Sequence, residues 1–195
     1  MGTVIAAVVA IAVLVWGVLT YNALVRRRNE IGNAFAQIDV QLKRRHDLVP
    51  NLVETARKYV EHERETLQAV TAARQGASAA TDRARRQPAD ASAIGALGAA
   101  EGLLGGALGR LMAVVEAYPV LKSDATLQGL SEELAHTENR IAFARQAFND
   151  AVLDFNNAAQ QAPANAVAGL FGFRPAAMLE ATQNEAERAA VAVRF

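Results

Sequence analysis

Tyr21-Asn-Ala-Leu-Val-Arg-Arg-Arg-Asn-Glu-Ile-Gly-Asn-Ala-Phe-Ala-Gln-Ile-Asp-Val-Gln-Leu-Lys-Arg-Arg-His-Asp-Leu-Val-Pro-Asn-Leu-Val-Glu54 joins an apolar N-terminal run to the rest of the chain. Ile31, Phe35, Ile38 and Leu42 recur at three- and four-residue spacing, with Ala34 beside them. That is one face of an amphipathic helix. Asn29, Asn33, Gln37, Asp39, Lys43 and Arg44 lie between them. The stretch therefore reads as a helix that leaves a membrane and enters a bundle.

To its N-terminal side, Met1 to Val25 contains no charged side chain, and Val4 to Leu19 is almost entirely Val, Ala, Ile and Leu. Crossing the hydrocarbon core takes roughly 20 helical residues, so residues 1–20 are expected to be a transmembrane anchor. Trp16 and Tyr21 suit an interface. A cleaved signal peptide is the rival, but Met-Gly-Thr offers no basic n-region. Arg26, Arg27 and Arg28 follow at once. Positive charge is retained in the cytoplasm, which predicts an outward N-terminus and a cytoplasmic body at the cell inner membrane. The same arginines can contact anionic headgroups, each worth about 1 kcal/mol near the surface.

To the C-terminal side, the pattern predicts helices over 21–47, 50–74, 91–117 and 124–160. The break near residue 47 rests on Asp47 as a cap and on Pro50, whose predecessor avoids helical angles. Unbroken, a helix of about 55 residues would reach roughly 80 Å, too long for the later helices to cover. Leu52, Val53, Ala56, Val60, Leu67 and Val70 form the inner face of the second helix. Residues 76–90, rich in Ala, Ser and Arg with Pro88, read as a loop or frayed end. Leu127, Leu130, Leu134, Thr137, Ile141, Ala144, Phe148, Val152 and Phe155 give the cleanest seam. Pro163 ends the last helix; Leu170, Phe171 and Phe173 could pack on the bundle or dip into the interface, and residues 176–194 read as a short amphipathic helix or a mobile tail. The fold class is thus all-α: a transmembrane helix, then an antiparallel up-and-down four-helix bundle over 21–162, then an apolar segment and tail over 163–195.

The wording of these stretches resembles the LemA family signature. Tyr21-Asn-Ala-Leu-Val25 with Arg28-Asn29 is similar to its YN-x-LV-x-x-RN, and Asn33 to Glu54 to the N-A-x-x-Q-I-D-V-Q-L-K-R-R-x-D-L-x-P-N-L-V-E that follows. Tyr118-Pro-Val-Leu-Lys122 resembles its YP-x-LK. Glu138-Asn-Arg-Ile-Ala142, Arg145, Phe148-Asn149 and Phe155-Asn156 resemble its later motif. The resemblance implies a membrane-tethered four-helix bundle; it implies no reaction.

Composition bounds the function. A hydrophobic content of 52% with only 6% aromatics, much of it alanine, suits closely packed helices. Twenty acidic and twenty basic residues cancel, so no net charge points to nucleic acid. The chain has no cysteine, which excludes disulfides and Cys-based metal sites or nucleophiles. His62-Glu63-Arg-Glu-Thr66 lacks the second histidine of a zinc hydrolase helix, and no phosphate loop, dinucleotide turn or nucleophile elbow is present. Neither catalytic nor metal-binding residues are expected, and no cofactor.

Two features remain. Gly98, Gly102 and Gly106 sit four apart in the third helix, like a seam for close helix approach, although Glu101 and Arg110 favour an ordinary bundle helix. Glu138, Arg145, Asn149 and Asn156 form a polar stripe on the last helix, with Asn33, Gln37 and Asp39 at comparable positions on the first. Such a stripe is either a docking surface or a network that fixes helix register. The expected function is a non-enzymatic interaction or scaffold module. Its partners would be the bilayer, an unidentified protein and possible further copies of itself. The alternative is a membrane-remodelling or lipid-binding element that self-assembles at the bilayer.

Overall fold

The computed structural model describes residues 1–60 and 62–180. Six helices follow in order: α1 (Gly2–Arg57), α2 (Arg64–Arg86), α3 (Ala91–Ala117), α4 (Pro119–Lys122), α5 (Ala125–Gln160) and α6 (Ala164–Leu170). No strand occurs among the described residues. The C-terminal half of α1 with α2, α3 and α5 forms an antiparallel up-and-down bundle. α1 lies between α2 and α5, and α3 packs chiefly on α2.

The expected break near residue 47 does not occur. α1 runs unbroken through Pro50, and the turn lies instead at residues 58–63. A proline inside a helix removes the N–H that would bond the carbonyl four residues back, here that of His46. Arg74 Nε of α2 donates to that carbonyl at 2.6 Å. The orphaned acceptor is thereby satisfied from outside the helix, and Val49, Leu52, Val53 and Ala56 continue the buried face.

The length objection fails for a second reason. From Gly2 to Ala23, α1 projects beyond the bundle and needs no cover from other helices. This rod is roughly 33 Å long at about 1.5 Å per residue, close to the roughly 30 Å of a hydrocarbon core. Its side chains are exposed, among them Val4, Ile5, Val8, Ile11 and Leu14. Burial begins at Leu24, which packs on Ala159, Val167 and Ala168.

The loop expected over residues 76–90 is also corrected. α2 continues through Gly76 to Arg86, and only residues 87–90 are a connection. Alanine and arginine are strong helix formers, Ala77, Thr81 and Ala84 are buried, and Arg83, Arg85 and Arg86 complement the C-terminal dipole. Asp90 caps α3 by accepting from Ala93 N–H at 2.8 Å. Asp124 caps α5 by accepting from Leu127 N–H at 3.0 Å.

The core has two main storeys. The storey nearer the apolar rod holds Ile31, Phe35, Ile38, Leu42, Ile94, Leu97, Phe148, Val152 and Phe155. Phe35 and Phe148 meet edge to face, 5.9 Å between centroids. The distal storey holds Val49, Leu52, Val53, Leu67, Val70, Leu104, Leu111, Leu127 and Leu134. All four long helices contribute to each, so neither storey survives loss of one helix.

α3 is continuous despite its glycines. A Cβ added at Gly95, Gly102, Gly106 or Gly109 would meet open space, so these glycines do not admit a neighbouring helix within the bundle. The expected mobile or helical tail is likewise revised for its first residues. Residues 173–180 are non-helical and pinned to the bundle, with Ala176 and Leu179 buried. The remainder of that expectation lies outside the described residues.

Candidate functional site

Two polar constellations interrupt the apolar surfaces. The first lies between the two storeys. On α1 the seam Leu42, Arg45/His46, Val49 places a cation and an imidazole where apolar side chains are due. Arg45 and His46 are 5% and 4% exposed, so both must be paired. Arg45 Nη1 donates to Glu101 Oε2 of α3 at 2.9 Å, and its Nη2 pairs with Glu138 of α5. His46 Nε2 lies 2.8 Å from the other oxygen of Glu101. One carboxylate thus holds two neighbouring side chains of α1, and one guanidinium ties α1 to α3 and α5. Arg74 completes the layer through the His46 carbonyl. A Cβ at Gly105 would sit 3.7 Å from Arg45 Nη2, an ordinary contact, so the layer does not require glycine there. Arg45 Nε and Gln41 Oε1 are buried without a hydrogen-bond partner. The layer fixes the rotation of three helices at once, because a register slip would bury an unpaired charge.

The second constellation joins α5 to the C-terminal segment. Asn156 donates through Nδ2 to the Ala176 carbonyl at 2.9 Å and accepts Ala176 N–H at Oδ1, also 2.9 Å. Asn149 treats Leu179 in the same way, at 3.2 and 2.9 Å. Each amide uses one N–H donor and one lone pair on the same residue of the segment, as an adjacent strand would. The two asparagines are seven residues apart on α5, roughly 10 Å. Positions 176 and 179 span roughly 10 Å only if the segment is extended. Helix pitch and extended rise therefore match, and the segment runs antiparallel to α5. Phe173 leads into it, 6.3 Å from Phe155 and 5.6 Å from Tyr21 between centroids.

The polar stripe read from the sequence is therefore divided by the fold. Glu138 pairs with buried Arg45 from the surface of the bundle, and Asn149 and Asn156 belong to the clamp. Asn33 and Gln37 are exposed, Asp39 and Arg145 half-buried. None of these four makes a side-chain hydrogen bond or ion pair among the described residues. Arg26, Arg27 and Arg28 are exposed just beyond the apolar rod. Phe171 packs on Tyr21 in a tilted pair, 4.8 Å between centroids, while Leu170 and Phe171 remain 80% and 59% exposed. Arg45, His46, Glu101 and Arg74 were not singled out from the sequence. Their signal was positional: Arg45 continues the α1 seam, and Glu101 falls between Leu97 and Leu104.

Three groups at helix ends depart from their ordinary ionisation. Leu127 N–H and the Tyr59 hydroxyl, which donates to Asp124 Oδ2 at 2.9 Å, hold the Asp124 carboxyl below its usual range. That contact raises the Tyr59 hydroxyl correspondingly. The Ser92 hydroxyl and Ala93 N–H lower Asp90. Asp90 and Asp124 are helix caps, and Tyr59 is tied to one of them. No group of three or more His, Cys, Asp or Glu placed to hold a metal ion occurs among the described residues.

A sequence profile of the LemA family matches residues 34–195. The chain belongs to the LemA family. Among characterised proteins it is 29% identical to the magnetosome protein MamQ of Magnetospirillum gryphiswaldense, covering 80% of this chain and 63% of that one. It is 28% identical to magnetosome proteins MamQ 1 and MamQ 2 of Paramagnetospirillum magneticum, covering 89% of this chain and 69% of each. The chain thus spans 63–69% of the length of these relatives. The match includes the buried layer and the asparagine clamp, and begins inside α1 beyond the exposed rod.

Proposed function

We propose that this LemA-family protein is a non-enzymatic interaction module mounted on the inner membrane, with its N-terminus outside and its bundle in the cytoplasm. One observation supports this best. The apolar rod and the first bundle helix are a single element, α1, with no flexible linker between them. A rod that spans the bilayer would hold the bundle upright at a fixed height, which suits presentation of a surface to partners. Asn33, Gln37, Asp39 and Arg145 are the members of the polar stripe that make no side-chain hydrogen bond or ion pair among the described residues. The MamQ relatives are named for a cell structure, the magnetosome, rather than for a reaction, which agrees with an organising role. The arginine cluster at 26–28 supports the orientation.

In-cell cross-linking of the full-length protein with mass spectrometry tests the proposal. The expected result is a reproducible protein partner, lost when Asn33, Gln37 and Arg145 are changed together. Capture of lipid alone would refute it. A reporter fused after Phe195 that works only outside the cytoplasm would refute the orientation.

A second reading, direct lipid contact, is favoured by Leu170 and Phe171. They stand exposed beside Tyr21, close to the arginine cluster. Because the chain has no cysteine, Phe171→Cys accepts a single environment-sensitive dye. Blue-shifted emission in liposomes, quenched by lipid nitroxides, is expected if this edge enters the bilayer. Emission matching that of a dye on exposed Lys58→Cys would count against it.

A further inference from the structure

The clamp recognises a peptide main chain, and that property does not require the peptide to belong to the same molecule. Asn149 and Asn156 bond only backbone atoms of residues 176 and 179. Side-chain selectivity comes from the places taken by Ala176 and Leu179 among Phe35, Phe148, Val152 and Phe155. The site therefore fits an extended segment with a small residue at one position and a leucine-sized one three further on. This is the chemistry of strand addition, with two amides standing in for a sheet edge.

We propose that this groove on α5 and α1 is a peptide-docking site whose partner is the residue 174–180 segment of a second copy of the chain, so that neighbouring molecules exchange tails. Three features favour this occupant. First, an identical tail supplies the same Ala176 and Leu179 contacts and the same backbone bonds to Asn149 and Asn156 in a neighbour's groove. Second, the tail leaves the bundle through a built hinge. α6 ends at Leu170, Gly172 adopts φ 69°, which an L side chain rarely takes, and Pro175 follows shortly. Residues 171–175 can span roughly 17 Å if extended, more than the width of one helix. Third, α1 sets every copy at the same height above the bilayer, so the groove of a neighbour lies level with the departing tail. Confinement to one surface raises the effective concentration of tails and grooves.

The inference deepens the interaction reading and rests on it for the shared membrane. It is tested by complementation with full-length chains carrying two different tags. One variant, Ala176→Arg with Leu179→Asp, keeps the groove and spoils the tail. The other, Asn149→Ala with Asn156→Ala, keeps the tail and spoils the groove. Tail exchange predicts that these two capture each other from detergent-solubilised membranes at least about ten-fold more than either captures itself. Equal capture in all pairings, or self-capture at the wild-type level, overturns the proposal. Should either variant lose its helical circular dichroism, a second measurement decides. Benzoylphenylalanine at half-exposed Met178 is photolysed in mixed heavy- and light-isotope copies. Heavy–light cross-links from position 178 to α1 or α5 are expected, and purely intramolecular ones overturn the proposal. A failed search for other cellular partners would refute the adaptor reading and leave these outcomes untouched.

Discussion

Replacing Arg74 by methionine isolates the reason α1 passes through Pro50. In the native protein the His46 carbonyl has no N–H partner within its helix and takes its bond from Arg74 Nε at 2.6 Å. A hydrogen bond from a charged donor contributes about 1.5–3 kcal/mol. Arg74 is half-buried, so water regains part of the site, and about 1.5–2 kcal/mol is expected for Arg74→Met. Pro50→Ala returns the missing N–H and removes the ring that crowds the same carbonyl. Interior proline disfavours a helix by about 3 kcal/mol; because Arg74 already offsets part of this, Pro50→Ala alone should stabilise by about 1–2 kcal/mol. In that background Arg74 is no longer the main donor, and Arg74→Met should cost less than about 1 kcal/mol. The cycle therefore yields a coupling of about 1 kcal/mol. Urea unfolding of the full chain in mild detergent, followed at 222 nm, measures all four proteins. Effects that add to within about 0.5 kcal/mol would sink the explanation, as would a destabilising Pro50→Ala.

Arg45→Met leaves Glu101 facing a buried gap, and the same unfolding assay should show a loss of about 3–5 kcal/mol. Breaking the half-exposed Arg44–Glu133 pair by Arg44→Ala should cost under about 1 kcal/mol. Gly102→Ala adds a methyl in open space on a helix and should stabilise by about 0.5–1 kcal/mol; destabilisation would mean that this face is already covered. Phe148→Ala should cost about 3–5 kcal/mol, since Phe148 is fully buried against Phe35. Asp90 and Asp124 sit below the ordinary carboxylate value of 3.8 in the folded chain. Their contribution is full above that value and lost as pH falls through the lowered folded values. Asp90→Asn with Asp124→Asn should keep the caps and flatten the acid limb of the melting curve; an unchanged limb would contradict it.

The sequence alone determined the apolar N-terminal helix, the start of α5 at Asp124, its seam from Leu127 to Phe155, and the family. These depend on local periodicity, on short-range capping and on a run of side chains with no charge, all written within one helix. Tertiary structure decided the rest. Pro50 reads as a break until Arg74, from another helix, takes up the carbonyl it orphans. Residues 76–86 read as a loop or frayed end until the bundle buries Ala77, Thr81 and Ala84. Glu138 and Asn149 look alike as members of one stripe. Yet one pairs with a buried guanidinium from the surface and the other grips a peptide backbone, because Arg45 and Leu179 approach them from distant parts of the chain. A local pattern can report which face of a helix is apolar. Which polar group meets which is set by where other helices bring their side chains, and that is settled only when the bundle closes.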